Sequence, residues 1–350
     1  MRPGDLADQI LRYGSRCLPA LLCALVLGLP VRASAEQCDN TGFDQPCPVQ
    51  EGFYRVLVPE GEGPFPVMVY LYGSGGQSVS ITNHPLFDAA VVKRGYALIV
   101  PAALDMEYRR GVYDSGWDLR HEPGGRRDEV LFLNRVLDDA GRRFAIDRDR
   151  VVFVGQSRGA FLIWEIACHE PETAAAYAVH AGGYLGRLPE ECETPVRFLH
   201  SHGLADPIVP FAGPPLVSGG VTMATLDRSL DLLAETNRCR NPEPEDAGLM
   251  LGLRRTHWTG CAPGSSLDLL LHDGGHTMPV EWFRAVLDWF EEPPEAGEER
   301  KPITLMAGTR PSSRFKAVPS AGPALMKTTT TEEPVAGRRL QAPGVKPPGE

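Results

Sequence analysis

Gly155-Gln-Ser157-Arg-Gly159 places a serine between two glycines, where the apolar run Val151-Val-Phe-Val ends and a helix-forming segment begins. Between a strand and a helix, that spacing reads as a nucleophile elbow. The turn is tight and strained, a Cβ on either glycine would clash, and the serine hydroxyl is lifted clear of the sheet. The helix N-terminus that follows favours developing negative charge. A serine hydroxyl attacks a carbonyl only when a base takes its proton and an acid orients that base. Among nine histidines, His276 is the candidate base: Leu269-Leu-Leu-His-Asp-Gly-Gly-His276 sets it on a glycine turn just past an apolar run. Loops at the C-terminal ends of parallel strands are where such sheets place their chemistry. Asp206, in His202-Gly-Leu-Ala-Asp206-Pro, follows a strand in the same way and is the candidate acid. An Asp before Pro is also a common turn former, and Asp273 is too near His276 on the same turn to be preferred.

Two backbone N–H groups are needed to hold the oxyanion. One is that of Arg158, next to the nucleophile; the other falls to Ser74 in the glycine-rich stretch Tyr72-Gly73-Ser74-Gly75-Gly76-Gln77. The stretch lacks the last glycine of G-x-G-x-x-G and no Gly-Lys-Ser/Thr follows, so a phosphate loop is not supported. His200 and His202 alternate on a strand as a metal pair would, but no third ligand is evident, and no metal is expected. The Arg158 side chain has two readings: a cation at the pocket mouth that selects carboxylate-bearing substrates, or an arginine facing solvent or paired with a nearby acid.

These residues need a sheet to carry them. Apolar runs rich in β-branched residues predict strands over 53–59, 66–72, 96–101, 151–155, 175–180, 195–201, 248–255 and 267–272. Several are apolar throughout, as strands buried on both faces of a parallel sheet are. Val130, Leu133, Val136, Leu137, Ala140 and Phe144 keep helical spacing, as do Leu226, Leu230, Leu233 and Ala234, and the segment 280–290. Alternating β and α elements argue for one α/β domain with a mostly parallel central sheet and helices on both faces. The order Ser157, Asp206, His276 is that of the α/β-hydrolase fold.

The rest of the chain bounds the possibilities. A formal charge of −10 argues against a nucleic-acid partner. No apolar run is long enough to span a membrane, so no stable membrane anchor is expected. Arg2, Arg12 and Arg16 precede an apolar stretch from Leu18 to Val31, and Ala33-Ser34-Ala35 offers a cleavage site. This is a secretory signal pattern over 1–35, which predicts a periplasmic or extracellular protein. Residues 292–350 hold ten prolines and a single aromatic, Phe315, too little apolar surface to offset the entropy of folding. They are expected to form a disordered tail outside a catalytic domain at 36–291. Six cysteines remain after the leader, at 38, 47, 168, 192, 239 and 261. An even count in an exported chain suggests three disulfides, and spacing alone does not choose the connectivity.

Over roughly residues 50–291 the chain resembles the secreted α/β-hydrolase esterases of the polyhydroxybutyrate depolymerase and feruloyl esterase group. The likeness rests on the strand before Gly73, the helix starting near Asp128, Ile146-Asp147-Arg-Asp-Arg-Val-Val, the elbow, Ala181-Gly-Gly, His202-Gly-x-x-Asp206 and Gly274-Gly-His276-x-x-Pro279. It implies ester hydrolysis through an acyl-enzyme, without cofactor, with Ser157, Asp206 and His276 as the triad. The substrate would be a small or oligomeric ester. A peptidase or other acyl hydrolase on the same fold is the second reading, and a non-catalytic binding protein the third. Near-neighbour pairing gives Cys38–Cys47, Cys168–Cys192 and Cys239–Cys261, and the resemblance supports the third of these most. The group's oxyanion loop usually begins His-Gly where this chain has Tyr72-Gly73, and Asp105 to Arg127 carries little of the group's pattern.

Overall fold

Runs such as Val67-Met-Val-Tyr-Leu71 and Val151-Val-Phe-Val are stable only where both faces of a strand are covered. A computed structural model describes residue 38 and residues 45–108, 112–212, 217–218, 220–241 and 243–293, and those runs form its centre. The leader expected at 1–35 and all but the first two residues of the tail expected at 292–350 lie outside the described residues.

In chain order the strands are β1 (Cys47–Val49), β2 (Gly52–Leu57), β3 (Phe65–Leu71), β4 (Ala97–Pro101), β5 (Leu104–Tyr108), β6 (Val112–Gly116) and β7 (Ile146–Gln156). They continue with β8 (Ala176–His180), β9 (Arg197–Gly203), β10 (Val217–Ser218), β11 (Val221–Thr222), β12 (Glu245–Met250), β13 (Leu253–Trp258) and β14 (Ser266–His272). The helices are α1 (Ser78–Thr82), α2 (Pro85–Ala90), α3 (Glu129–Arg143), α4 (Arg158–His169), α5 (Leu226–Thr236) and α6 (Trp282–Glu291). Among the described residues ten strands make one sheet in the order β1-β2-β4-β3-β7-β8-β9-β14-β13-β12. The six from β4 to β14 run parallel, and antiparallel strands close both ends.

Helices cover both faces. Phe198 and His200 of β9 meet Trp164 of α4, with ring centroids 4.4 and 5.8 Å away. Ser201, one residue on and therefore on the opposite face, meets His180, whose ring abuts Trp282 of α6. Phe283 of α6 extends that layer onto Tyr70 of β3 and Phe87 of α2. The side chain of Asp128 accepts from the Leu131 N–H at 3.0 Å and so caps α3. Disulfides join Cys38–Cys47, Cys168–Cys192 and Cys239–Cys261.

Two stretches differ from the sequence expectation. The strand predicted over 248–255 is a hairpin, β12 turning into β13 through Leu251 and Gly252, both at positive φ (49° and 85°). Leu251 hides the turn by keeping the run apolar, and only Gly252 marks it. Between 102 and 128, where no element was expected, β5 and β6 form a separate hairpin, followed by an irregular segment through Trp117.

The register decides where the loops leave. Leu71 pairs with Gly155 and Gly155 with Val179. Gly203 pairs with His272 on the far side of β8. The loops after β3, β7, β9 and β14 therefore emerge together at the C-terminal edge of the sheet. They carry Ser74, Ser157, Asp206 and His276.

Candidate active site

Ser157 sits between β7 and α4 at φ 53°, ψ −119°, a conformation that residues with a Cβ rarely adopt. Its N–H donates to the carbonyl of His180 at 3.0 Å, and its carbonyl accepts from the Phe161 N–H at 3.0 Å, so the strained residue is held from both sides. The flanking glycines answer a spatial demand. A Cβ on Gly159 would overlap the Leu71 carbonyl and lie 2.8 Å from that of Tyr72, and one on Gly155 would lie 2.7 Å from Ile163 Cδ1.

Asp206 and His276 come together. His276 Nδ1 lies 2.8 Å from Asp206 Oδ2; the Asp206 side chain is fully buried and that of His276 is 17% exposed. The other carboxylate oxygen accepts from the N–H groups of Ile208 (2.8 Å) and Val209 (3.0 Å). Burial pushes the Asp206 carboxyl up, but the bonds from His276, Val209 and Ile208 outweigh it and hold the group below its ordinary value. An ionised Asp206 can only accept, so the proton belongs on His276 Nδ1 and the lone pair on Nε2. The two loops touch backbone to backbone: Leu204 N–H donates to the His272 carbonyl and Ala205 N–H to that of Gly274. Gly203 has no room for a side chain there, because a Cβ would overlap the carbonyls of Gly274 and Gly275.

Ser157, His276, Ser74 and Arg158 line one open cavity of about 480 Å³, whose apolar walls include Tyr70, Ile81, Phe161 and Ile208. Gly73 lies against the serine, where a Cβ on it would be 3.1 Å from Ser157 Cβ. The N–H groups of Gly75 and Gly76 already donate to the carbonyls of Ser115 and Gly73. Arg158 is the first residue of α4, so its N–H has no partner within the helix.

The Arg158 side chain does not lie open at the mouth. It is buried; Nε donates to the Trp117 carbonyl at 2.7 Å and the guanidinium pairs with Glu122. Its charge is therefore already matched by an acid. His200 and His202 do not form an open pair: they are buried and stacked, His200 Nε2 lies 3.0 Å from His202 Nδ1, and His202 Nε2 donates to the Val209 carbonyl at 2.8 Å. Among the described residues no cluster of three or more His, Cys, Asp or Glu is arranged to hold a metal ion. Sequence reasoning missed Gln156, whose side-chain amide donates to the His276 carbonyl at 3.0 Å and ties the histidine loop to the elbow. Its position next to Ser157 was the available signal.

His180 supports the elbow through its carbonyl, and its ring is buried beside His272. Burial first, then the neighbouring His272, lowers the imidazole to about 3. An unfolded histidine titrates near about 6.5, so between these values the unfolded chain binds the extra proton and stability falls as pH falls, by up to about 1.4 kcal/mol per pH unit. Glu129 acts in the opposite sense: burial raises its carboxyl against the pull of the paired Arg127, so its contribution grows as pH falls toward the ordinary carboxylate range. Comparing variants isolates the histidine. The Tm advantage of the wild type over His180→Gln is expected to shrink from pH 8 to pH 4.5; a constant gap would contradict the assignment.

No protein-family model matches the chain. It is 28% identical over 247 residues to NocK of Nocardia uniformis subsp. tsuyamanensis, which carries the name of an esterase; the match spans 63% of this chain and 67% of that one. It is 23% identical over 235 residues to feruloyl esterase C of Emericella nidulans, spanning 64% of this chain and 75% of that one. Among solved structures, the acetyl xylan esterase from Aspergillus awamori superposes with a TM-score of 0.50 at 15% identity, over 73% of this chain and 97% of that one. The chain thus has the α/β-hydrolase fold and is similar to esterases of the feruloyl esterase group.

Proposed function

We propose that the protein is an exported serine hydrolase that cleaves carboxylic esters through an acyl-enzyme. The Asp206–His276 hydrogen bond, opening on the cavity that Ser157 lines, carries this reading. His276 Nε2 takes the Ser157 proton as Oγ attacks the ester carbonyl. The oxyanion is held by the N–H groups of Ser74 and Arg158, at the positive end of α4. Collapse of the intermediate returns the proton to the departing alcohol, and water then releases the acid by the same steps. Asp206 fixes the tautomer and stabilises the imidazolium. Esterase-named relatives favour esters over amides, and three disulfides fit export. Soluble esters of modest size suit a cavity of about 480 Å³. Labelling with a fluorophosphonate, followed by turnover of a panel of esters and peptides, tests the reading. Modification of Ser157 and a preference for esters are expected. Labelling elsewhere would refute the mechanism, and faster peptide cleavage would favour the peptidase reading.

A further inference from the structure

The segment from Ser115 to Glu122 binds both halves of the proposed oxyanion site. On one side, the indole Nε1 of the fully buried Trp117 donates to the Tyr72 carbonyl at 2.8 Å. The Gly75 N–H donates to the Ser115 carbonyl at 3.0 Å, and the Ser115 hydroxyl donates to the Gly76 carbonyl. The Tyr72 carbonyl belongs to the peptide before Gly73–Ser74, and the Gly75 N–H to the peptide after it. The peptide that carries the Ser74 N–H is therefore clamped at both ends by one strap. The Tyr72 ring adds a third point, since its hydroxyl accepts from the Ala103 N–H at 2.8 Å. On the other side, the Trp117 carbonyl accepts from Arg158 Nε at 2.7 Å, and Glu122 pairs with the same guanidinium. Trp117 thus bonds with its side chain to the loop of one donor and with its backbone to the residue of the other.

We propose that Trp117 is a positioning residue for the oxyanion hole, setting the separation of the Ser74 and Arg158 N–H groups; the inference rests on the esterase reading above. Neither donor is held by its own loop alone. Within its own loop the Ser74 peptide has one tie, the Gly73 carbonyl accepting from the Gly76 N–H, and within the elbow the Arg158 peptide has one, the Ser157 carbonyl accepting from the Phe161 N–H; the strap supplies the rest. Because one bond to each side meets at Trp117, loosening it shifts the donors away from the place where charge develops. It leaves the apolar walls that bind the substrate in place.

Trp117→Phe keeps an aromatic ring and removes the indole N–H. Removing an oxyanion donor outright costs about 10²–10³ in kcat; misplacing one is expected to lower kcat on an ester about 10–100-fold with KM within about threefold. A thionoester supplies the contrast that a merely structural role would not produce. Its thiocarbonyl sulfur accepts hydrogen bonds poorly, so the variant is expected to lose less than about threefold on it. Equal losses on ester and thionoester, a loss confined to KM, or an unchanged ester rate would each overturn the inference. Glu122→Gln, which weakens the Arg158 anchor and leaves the indole bond, is measured alongside. It is expected to show the same pattern at smaller amplitude, and it decides the matter if Trp117→Phe does not fold. Ser157→Ala run beside both separates the two questions: an active Ser157→Ala protein would sink the mechanism itself, whereas an inactive one with an unaffected Trp117→Phe would sink only the role of the tryptophan.

Discussion

Ser157→Ala is expected to lower kcat on a soluble ester about 10⁶-fold, the scale seen when a triad nucleophile is removed. Residual turnover would come from the proposed oxyanion donors and the cavity, which the substitution leaves in place. Alanine fills the same volume less one oxygen, and the backbone bonds to His180 and Phe161 involve no side-chain atom. The variant is therefore expected to melt within a few degrees of the wild type. Single-turnover and steady-state rates on one ester, with a thermal melt beside them, make the measurement. A folded Ser157→Ala protein that retained a tenth of the wild-type rate would place the nucleophile elsewhere.

Asp206→Asn is expected to cost about 10⁴-fold in kcat with the fold kept. The substitution is close to isosteric, and an Asn Oδ1 still accepts from the N–H groups of Ile208 and Val209. What changes is the partner facing His276 Nδ1. An amide NH₂ there donates, which moves the imidazole proton to Nε2 and leaves nothing to accept from Ser157. The loss therefore belongs in kcat, with KM nearly unchanged. Because the Asp206 carboxyl is held low in the fold, it also contributes stability that is present at neutral pH and lost as pH falls through its folded value. The Asn variant is expected to lack that acid-dependent part of the melt. A rate within tenfold of the wild type would assign the orienting role to another acid.

The parts of this site that were legible in the sequence are those governed by local geometry. Gly155 and Gly159 announce the elbow because nothing larger fits beside Ile163 and the Leu71 carbonyl. Gly203 and the pair Gly274-Gly275 announce the loops of the candidate acid and base because those loops meet backbone to backbone. Continuous apolar runs gave the parallel strands for the same kind of reason: burial on both faces leaves no other composition. What stayed hidden depends on contacts between distant segments. Nothing in Gly116-Trp117-Asp118 says that the indole reaches Tyr72, 45 residues earlier in the chain. Nothing beside Arg158 says that its charge is met by Glu122, 36 residues away. The hairpin at Leu251-Gly252 was missed because hydrophobic periodicity sees side chains and is blind to the sign of φ.

The backbone of Ser157 has a consequence for anyone who would make this protein hardier. A residue with a Cβ held at φ 53°, ψ −119° costs about 1–3 kcal/mol. Glycine would occupy the same place with little of that cost, offset in part by the extra freedom it gives the unfolded chain, about 0.5–1 kcal/mol. A library screened for thermal tolerance alone would thus tend to enrich a replacement that removes the proposed nucleophile. Directed evolution of this scaffold therefore has to couple every heat challenge to a test of hydrolysis, or it will trade the proposed nucleophile for a few degrees.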